Sequence, residues 1–245
     1  MNPILIVAAL KDEIRHLKDK MAIDCTIHFK PAVLYRGQLF NKKIDLLTTG
    51  IGTLRMRQGL EQALTQTTPS HILYVGYAGS ATPLAGQASL ILASILLEEK
   101  SDKKFTSTKD LLDQAKKICA AKKFSSQVGG MITVKDVVSS AHAKAALGAG
   151  HRVLAIDMEA SALAEVATQK KIPFMVVKSI LDSVEMELPN LAACIDGAGD
   201  VKPGALVEHI FKTPGDIARL PEIQYCAQQA RQSLTQFVEA WVQLL

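Results

Sequence analysis

The chain has 245 residues, enough for one large α/β unit, and its 48% hydrophobic but only 5% aromatic content implies an aliphatic, Ala-rich core. A net charge of +4 comes from 28 basic and 24 acidic residues, with the basic ones scattered in short pairs such as Lys42-Lys43 and Lys122-Lys123. A nucleic-acid surface would need them clustered, so nucleic acid is excluded as a partner. The four cysteines (Cys25, Cys119, Cys194, Cys226) form no CxxC or Cys/His pattern, which argues against a metal site and for reduced, mostly buried thiols in a cytoplasmic protein. No apolar run approaches the ~20 residues of a membrane span, and Ile4 to Leu10 is too short and wrongly flanked for a signal peptide.

Taken in order, Ile4 to Ala9 is a continuous apolar run of strand length, as expected for a strand buried on both faces. A helix starting at Asp12 follows, which puts Glu13 just beyond a strand end. Position alone is also consistent with a first-turn glutamate favoured by the helix dipole. Short alternating runs over 25–48 read as an antiparallel addition to the sheet. Thr49-Gly50-Ile51-Gly52 then leads into a helix from Leu54 to Thr67; Arg55 stands where a dinucleotide fingerprint needs its third glycine, so no cofactor is expected.

Ile72 to Val75 is a second buried strand and runs into Gly76-Tyr77-Ala78-Gly79. Two glycines here suit either close approach of backbone to a ligand or a tight turn that requires φ > 0. A strand pair (Ala88 to Ala93, Ile95 to Leu97) precedes a polar, Lys-rich stretch, Glu98 to Lys109, in which no period is legible. A helix over 109–123 shows apolar spacing of 3.6, and Gly129 to Val134 is a strand leading to Asp136-Val137-Val138 and a helix from Ala141 to Leu147.

The most informative stretch is Val153 to Asp182, which reads as strand, Ala-rich helix (Glu159 to Gln169), strand. In a parallel unit both strand ends and the helix start share one sheet edge, so Asp157, Glu159 and Asp182 are expected together with Glu13 and the two glycine turns. Beyond it lie an irregular Gly-rich stretch (196–204), a helix near Leu206 to Phe211 and a final amphipathic helix from Ile223. No linker or repeat divides the chain, so 1–245 is taken as a single domain. Dispersed carboxylates without a His or Cys cluster suit a neutral, polyhydroxylated small molecule such as a sugar or nucleoside. His142 and His151 are read as structural or solvated.

Five segments in order, Ala9-Leu10-Lys11-Asp12-Glu13, Thr49-Gly50-Ile51-Gly52, Gly76-Tyr77-Ala78-Gly79, Asp157-Met158-Glu159-Ala160 and Val177-Lys178-Ser179-Ile180-Leu181-Asp182, resemble the signatures of the purine nucleoside phosphorylase superfamily. Its methylthioadenosine/S-adenosylhomocysteine nucleosidase branch and the hopanoid-associated relatives are the most similar. The resemblance implies a three-layer α/β/α fold around a mixed, partly barrel-like β-sheet, usually as a homodimer, and a purine nucleosidase acting on a 5'-substituted adenosine. It implies Glu13 and Asp182 as catalytic residues, the base for the attacking water and the acid for purine N7. Glu159 and Met158 would bind ribose, with Gly79, Ala78, Tyr77, Val137, Val138 and Gly52 lining the substrate. Hexameric phosphorylases of the superfamily place arginines where this chain has Glu13 and Tyr74, which favours water over phosphate. Arg15, Arg55 or Arg57 would have to supply a phosphate site for the alternative, a phosphorylase; a non-catalytic nucleoside-binding protein is the third reading. Val137 stands where the nucleosidases have a stacking aromatic, and Lys178 replaces a common Arg. The segment from Leu188-Pro189 onward is similar to the hopanoid-associated branch, whose lipid substrate would imply peripheral membrane contact.

Overall fold

Strand residues that alternate between two separate cores explain why the apolar runs in this sequence are continuous. In the computed structural model, which describes residues 2–188 and 220–244, strand β1 (Ile4–Ala8) sends Leu5 and Val7 to one core and Ile4 and Ile6 to the other. The strand Ile72–Ser80, here β5, and the strand Phe174–Asp182, here β10, behave alike. Tyr74 and Val176 face the first core, and Leu73, Val75, Met175 and Val177 face the second. A strand covered on both faces has no polar side, hence no alternation.

The remaining strands are β2 (Ala22–His28), β3 (Val33–Leu39), β4 (Lys42–Thr48), β6 (Leu90–Glu98), β7 (Lys104–Thr106), β8 (Ser126–Thr133) and β9 (Val153–Asp157). They form one ten-stranded sheet in the order β10-β6-β8-β9-β5-β1-β4-β3-β2, with β7 on β6. Strand β10 also pairs with β5, so β5, β10, β6, β8 and β9 close into a barrel and β1, β4, β3 and β2 extend from it as a wing. Helices α2 (Thr53–Leu64) and α5 (Ala160–Gln169) cover the first core. Helices α1 (Arg15–Lys20), α3 (Lys109–Lys122) and α6 (Leu220–Gln243) cover the second, where Trp241 and Phe237 are fully buried. Each such aromatic removes a large apolar area from water, about 1.5–3 kcal/mol per side chain. Helix α4 (Ala141–His151) lies between β8 and β9 in the chain. The mixed, partly closed sheet with helices around it is the α/β architecture expected from the sequence.

Several local expectations need correction. Strands β9 and β10 are not neighbours in a parallel unit: β10 runs parallel to β5 and β9 antiparallel to it. Barrel closure is the reason, because β5 becomes the shared neighbour of both. The two ends still converge, since Gly79 is paired with Ile156 of β9 and with Asp182 of β10. The segment from Gly76 to Gly79 is not a turn either; β5 continues through it to Ser80, and the only glycines with positive φ among the described residues are Gly50 and Gly52. The strand pair at 88–97 is one strand, β6, with a register shift between Ala93 and Ile95. The stretch without a legible period holds β7, which the edge of β6 organises. Residues 12–14 form a 3-10 turn before α1 rather than the first turn of a longer helix. The expected helix near Leu206 and the Gly-rich stretch at 196–204 lie outside the described residues.

Candidate active site

Asp157 closes β9, and its position fixes everything that follows it. Its Oδ2 accepts the backbone N–H of Ala160 at 2.8 Å and of Glu159 at 3.3 Å, while its Oδ1 accepts the Thr133 hydroxyl at 2.7 Å. Thr133 in turn accepts the Ser161 N–H at 2.9 Å. The orphan N–H groups at the start of α5 are thereby satisfied by side chains. Asp157 serves as a helix cap, and the next carboxylate, Glu159, is held at the helix start facing the barrel end.

Glu159 is buried, with each oxygen committed. Its Oε1 accepts the Gly52 N–H at 2.8 Å, and its Oε2 accepts the Tyr74 hydroxyl at 3.0 Å. Gly52 takes φ +98 to end the β4–α2 turn with that N–H exposed to the carboxylate, a conformation that only glycine adopts readily. Burial pushes the Glu159 carboxyl up to about 7, against the pull of Lys178.

Glu13 is 2% exposed, so the first-turn surface glutamate is excluded. Its Oε2 accepts the Leu10 N–H at 2.8 Å and its Oε1 the Tyr77 N–H at 2.7 Å. A Cβ at residue 76 would stand 2.6 Å from Glu13 Oε1 and 2.9 Å from Lys178 Nζ. Gly76 is therefore a glycine for space, not for turn geometry. Burial raises the Glu13 carboxyl, and Lys178 together with the backbone N–H groups opposes that rise.

Lys178 is wholly buried in β10. Its Nζ lies 3.5 Å from Asp157 Oδ2 and 3.8 Å from the centroid of the Tyr74 ring, and it has no hydrogen-bond partner among the described residues. One ammonium thus sits among Glu13, Asp157 and Glu159. On the other side, Asp182 ends β10 and is 3% exposed. It forms a buried ion pair with Lys144 of α4, and burial raises its carboxyl while Lys144 opposes the rise.

Of these groups Glu13, Lys144, Asp157, Glu159 and Asp182 line a cavity of about 220 Å³, and Lys178 and Tyr74 stand behind its wall. Of the residues picked out in the sequence, Glu13, Tyr77, Ala78, Gly79, Val137, Val138, Met158, Glu159 and Asp182 line it, and Gly52 touches it through Glu159. Val137 is half exposed at its edge, while Asp136, His142 and His151 are exposed and do not line it. Arg57 is paired with Glu165 on the outside, and Arg15 and Arg55 do not reach the lining either. Among the described residues no group of three or more His, Cys, Asp or Glu side chains is arranged to hold a metal ion. Tyr77 is tied outward, its hydroxyl donating to Asp12 Oδ2 at 2.8 Å, and Asp12 is paired with Arg231 of α6.

Sequence reading assigned no role to Lys144 or Thr133, and it noticed Lys178 and Tyr74 only as replacements. A lysine inside the apolar run of β10 is a legible signal of a buried charge. Lys144, in the Ala-rich helix 141–151, carries no such signal, because a lone lysine on a helix is ordinarily solvated.

The arrangement combines carboxyl groups pushed toward their protonated forms with a fixed acceptor at a helix start. That is equipment for proton transfer to and from a small polyhydroxylated molecule. Fold and cavity together define a nucleoside phosphorylase-like α/β protein with a carboxylate-lined cavity at the barrel end. Residues 3–193 match the phosphorylase superfamily, and the chain belongs to it. A 5'-methylthioadenosine/S-adenosylhomocysteine nucleosidase of Staphylococcus saprophyticus is 23% identical over 224 residues, covering 85% of this chain and 98% of that protein. Among solved structures, the Neisseria meningitidis nucleosidase of the same name, in complex with methylthio-immucillin-A, superposes with a TM-score of 0.79 at 17% identity over the whole of both chains. The Helicobacter pylori futalosine hydrolase does so with a TM-score of 0.78 at 18% identity, covering 100% of this chain and 98% of that one.

Proposed function

We propose that this protein is a nucleosidase that hydrolyses the N-glycosidic bond of an adenosine substituted at its 5' position, releasing adenine. The observation that carries the reading is the convergence of Glu13, Glu159 and Asp182 on one small cavity that, among the described residues, no arginine lines. Breaking the bond between C1' and N9 builds positive charge on the ribose and negative charge on the purine. Asp182 gives its proton to N7, Glu13 takes a proton from the water that attacks C1', and Glu159 accepts the ribose hydroxyls with Met158 packed against the sugar. The free products are adenine and the 5-substituted ribose. The relatives named above, two nucleosidases and a futalosine hydrolase, support the same reading.

The walls of the cavity include Leu10, Ile51, Val134, Val138 and Leu188, which supports an apolar 5' group, from methylthio up to the hydrocarbon of an adenosylated hopane. Phosphorolysis is the second reading, and the Lys178 ammonium, without a hydrogen-bond partner among the described residues, is the cation nearest Glu13 and Glu159, though it stands behind the cavity wall and is paired with Asp157. Against it, an anion beside Glu13 and Glu159 meets like charge. The test is adenine release from methylthioadenosine, S-adenosylhomocysteine, 5'-deoxyadenosine and an adenosylhopane mimic, with and without inorganic phosphate. Turnover in phosphate-free buffer is the expected result. Turnover only with phosphate selects the second reading, and no release from any of the four sinks both.

A further inference from the structure

Lys144 is 1% exposed, an extreme position for a lysine. Its Nζ donates to Asp182 Oδ2, to the Met186 carbonyl at 2.7 Å and to the Ser183 carbonyl at 3.1 Å. An ammonium has three protons and no acceptor site, so these contacts saturate it. It therefore has nothing left to offer a ligand directly. What it does instead is tie three points together: α4, the carboxylate that ends β10, and the turn after it, which is itself closed by the Met186 N–H on the Ser183 carbonyl at 3.2 Å. Engagement of Oδ2 leaves Oδ1 for a bound purine. On the opposite side Gly79 keeps the approach open, since a Cβ there would stand 3.2 Å from Oδ2 and 3.4 Å from Oδ1.

We propose that Lys144 is the positioning residue of the acid: its ammonium clamps Asp182 in one orientation against the 183–186 turn, so that a single carboxyl oxygen meets the purine. The inference rests on the reading of Asp182 as the proton donor to the leaving base. A clamp of this kind matters because a misplacement of about 1 Å at a reacting group costs about 100-fold in rate. It has an electrostatic corollary. Burial raises the Asp182 carboxyl and Lys144 is the charge that opposes it. Of the other elements packed nearby, α6 brings the Cys226 thiol, raised by burial and then by the carboxylates of Glu222 and Asp182, and β5 brings Gly79. Glu185 and Glu187 follow in the chain with exposed side chains. Among the described residues, therefore, no second cation stands ready to replace Lys144 at this carboxylate.

The experiment compares wild type, Lys144→Met, Lys144→Gln and Lys144→Arg by ¹³C-carboxyl NMR, with Asp182→Asn identifying the resonance, and by the pH dependence of kcat. In Lys144→Met and Lys144→Gln the Asp182 titration moves upward by about one pH unit or more, because an opposite charge within hydrogen-bond reach holds a carboxyl down by about that much. The alkaline limb of kcat moves with it, and kcat falls about 10- to 100-fold with KM little changed. Lys144→Arg keeps the titration near the wild-type position, since the charge stays, yet loses rate because a planar guanidinium cannot reach the same three acceptors. Should Lys144→Met not fold, the Gln and Arg variants carry the comparison. An unmoved Asp182 titration in the uncharged variants, or an unmoved alkaline limb, overturns the proposal. Wild-type protein that releases no adenine sinks the nucleosidase reading instead, and the carboxyl titration still reports on the clamp.

Discussion

Toward β1 and β5, Lys178 faces three buried acids, Glu13, Asp157 and Glu159, and donates a hydrogen bond to no described residue; toward α4, Lys144 faces one acid and donates all three of its protons. The cation is shared, so at Glu159 burial dominates and pushes the carboxyl up to about 7. The dedicated cation instead fixes a single carboxylate and the turn beside it. Both lysines are buried charges whose isolation would be costly, yet only one is built for geometry. The other balances charge among three buried carboxyl groups.

The largest effect is expected at the dedicated end. Asp182→Asn keeps the shape but cannot protonate N7, so kcat for adenine release falls about 10²- to 10⁴-fold while the dissociation constant of an unreactive nucleoside analogue stays within a few-fold. Full activity in that variant would remove Asp182 from the mechanism. Next comes Lys178→Met. Removing one partner of a buried ionic cluster costs about 3–5 kcal/mol, read as a lower midpoint in chemical denaturation. The same change should push the titrations of Glu13 and Glu159 further up. A variant as stable as wild type would show that the three acids do not need their cation.

On the proposed role of Glu159, Glu159→Gln loses charge-assisted acceptance of two hydroxyls, worth about 1.5–3 kcal/mol. It should lower kcat/KM for a ribonucleoside more than for its 2'-deoxy counterpart; equal losses on both substrates would detach Glu159 from the hydroxyls. Tyr74→Phe removes only the hydroxyl that holds Glu159 Oε2, and a drop of about 10-fold or less in kcat/KM is expected.

The most gradual and most diagnostic effect is on stability against pH. Burial raises Glu159 from 4.5 to about 7 and also raises Glu13 and Asp182. In the pH window between unfolded and folded values the native state binds more protons than the unfolded chain, so stability is fullest below about 4.5 and declines as pH rises toward 7. Each group adds a slope of at most about 1.4 kcal/mol per pH unit. Glu159→Gln should remove one such contribution, and a stability curve with unchanged slope would contradict the burial argument.

Much of the fold was legible because the signals are local. Continuous apolar runs announced β1, β5 and β10, and a 3.6-residue period announced α3. Acids at the ends of those runs pointed to Glu13, Glu159 and Asp182, since polar groups next to buried strands have few other places to go. The reading of Gly76 and Gly79 stayed open between turn and close approach, because sequence carries no information about what stands opposite a residue. Tertiary structure decided it: β5 runs straight on, and the space a Cβ would fill at Gly76 belongs to Glu13 and Lys178.

What the sequence alone determined, then, is the long buried strands and amphipathic helices and which carboxylates lie near strand ends, because hydrophobic periodicity and side-chain chemistry are properties of neighbours in the chain. Only the tertiary structure decided that the sheet closes through the β5–β10 pairing, that β9 meets β5 antiparallel, and that Gly79 joins the two ends. It also decided that Lys144, unremarkable in an Ala-rich helix, is the partner of Asp182. Those are pairings between residues far apart in sequence. Their energies depend on burial and on what each group faces once the barrel is closed, and neither quantity exists until the chain has folded.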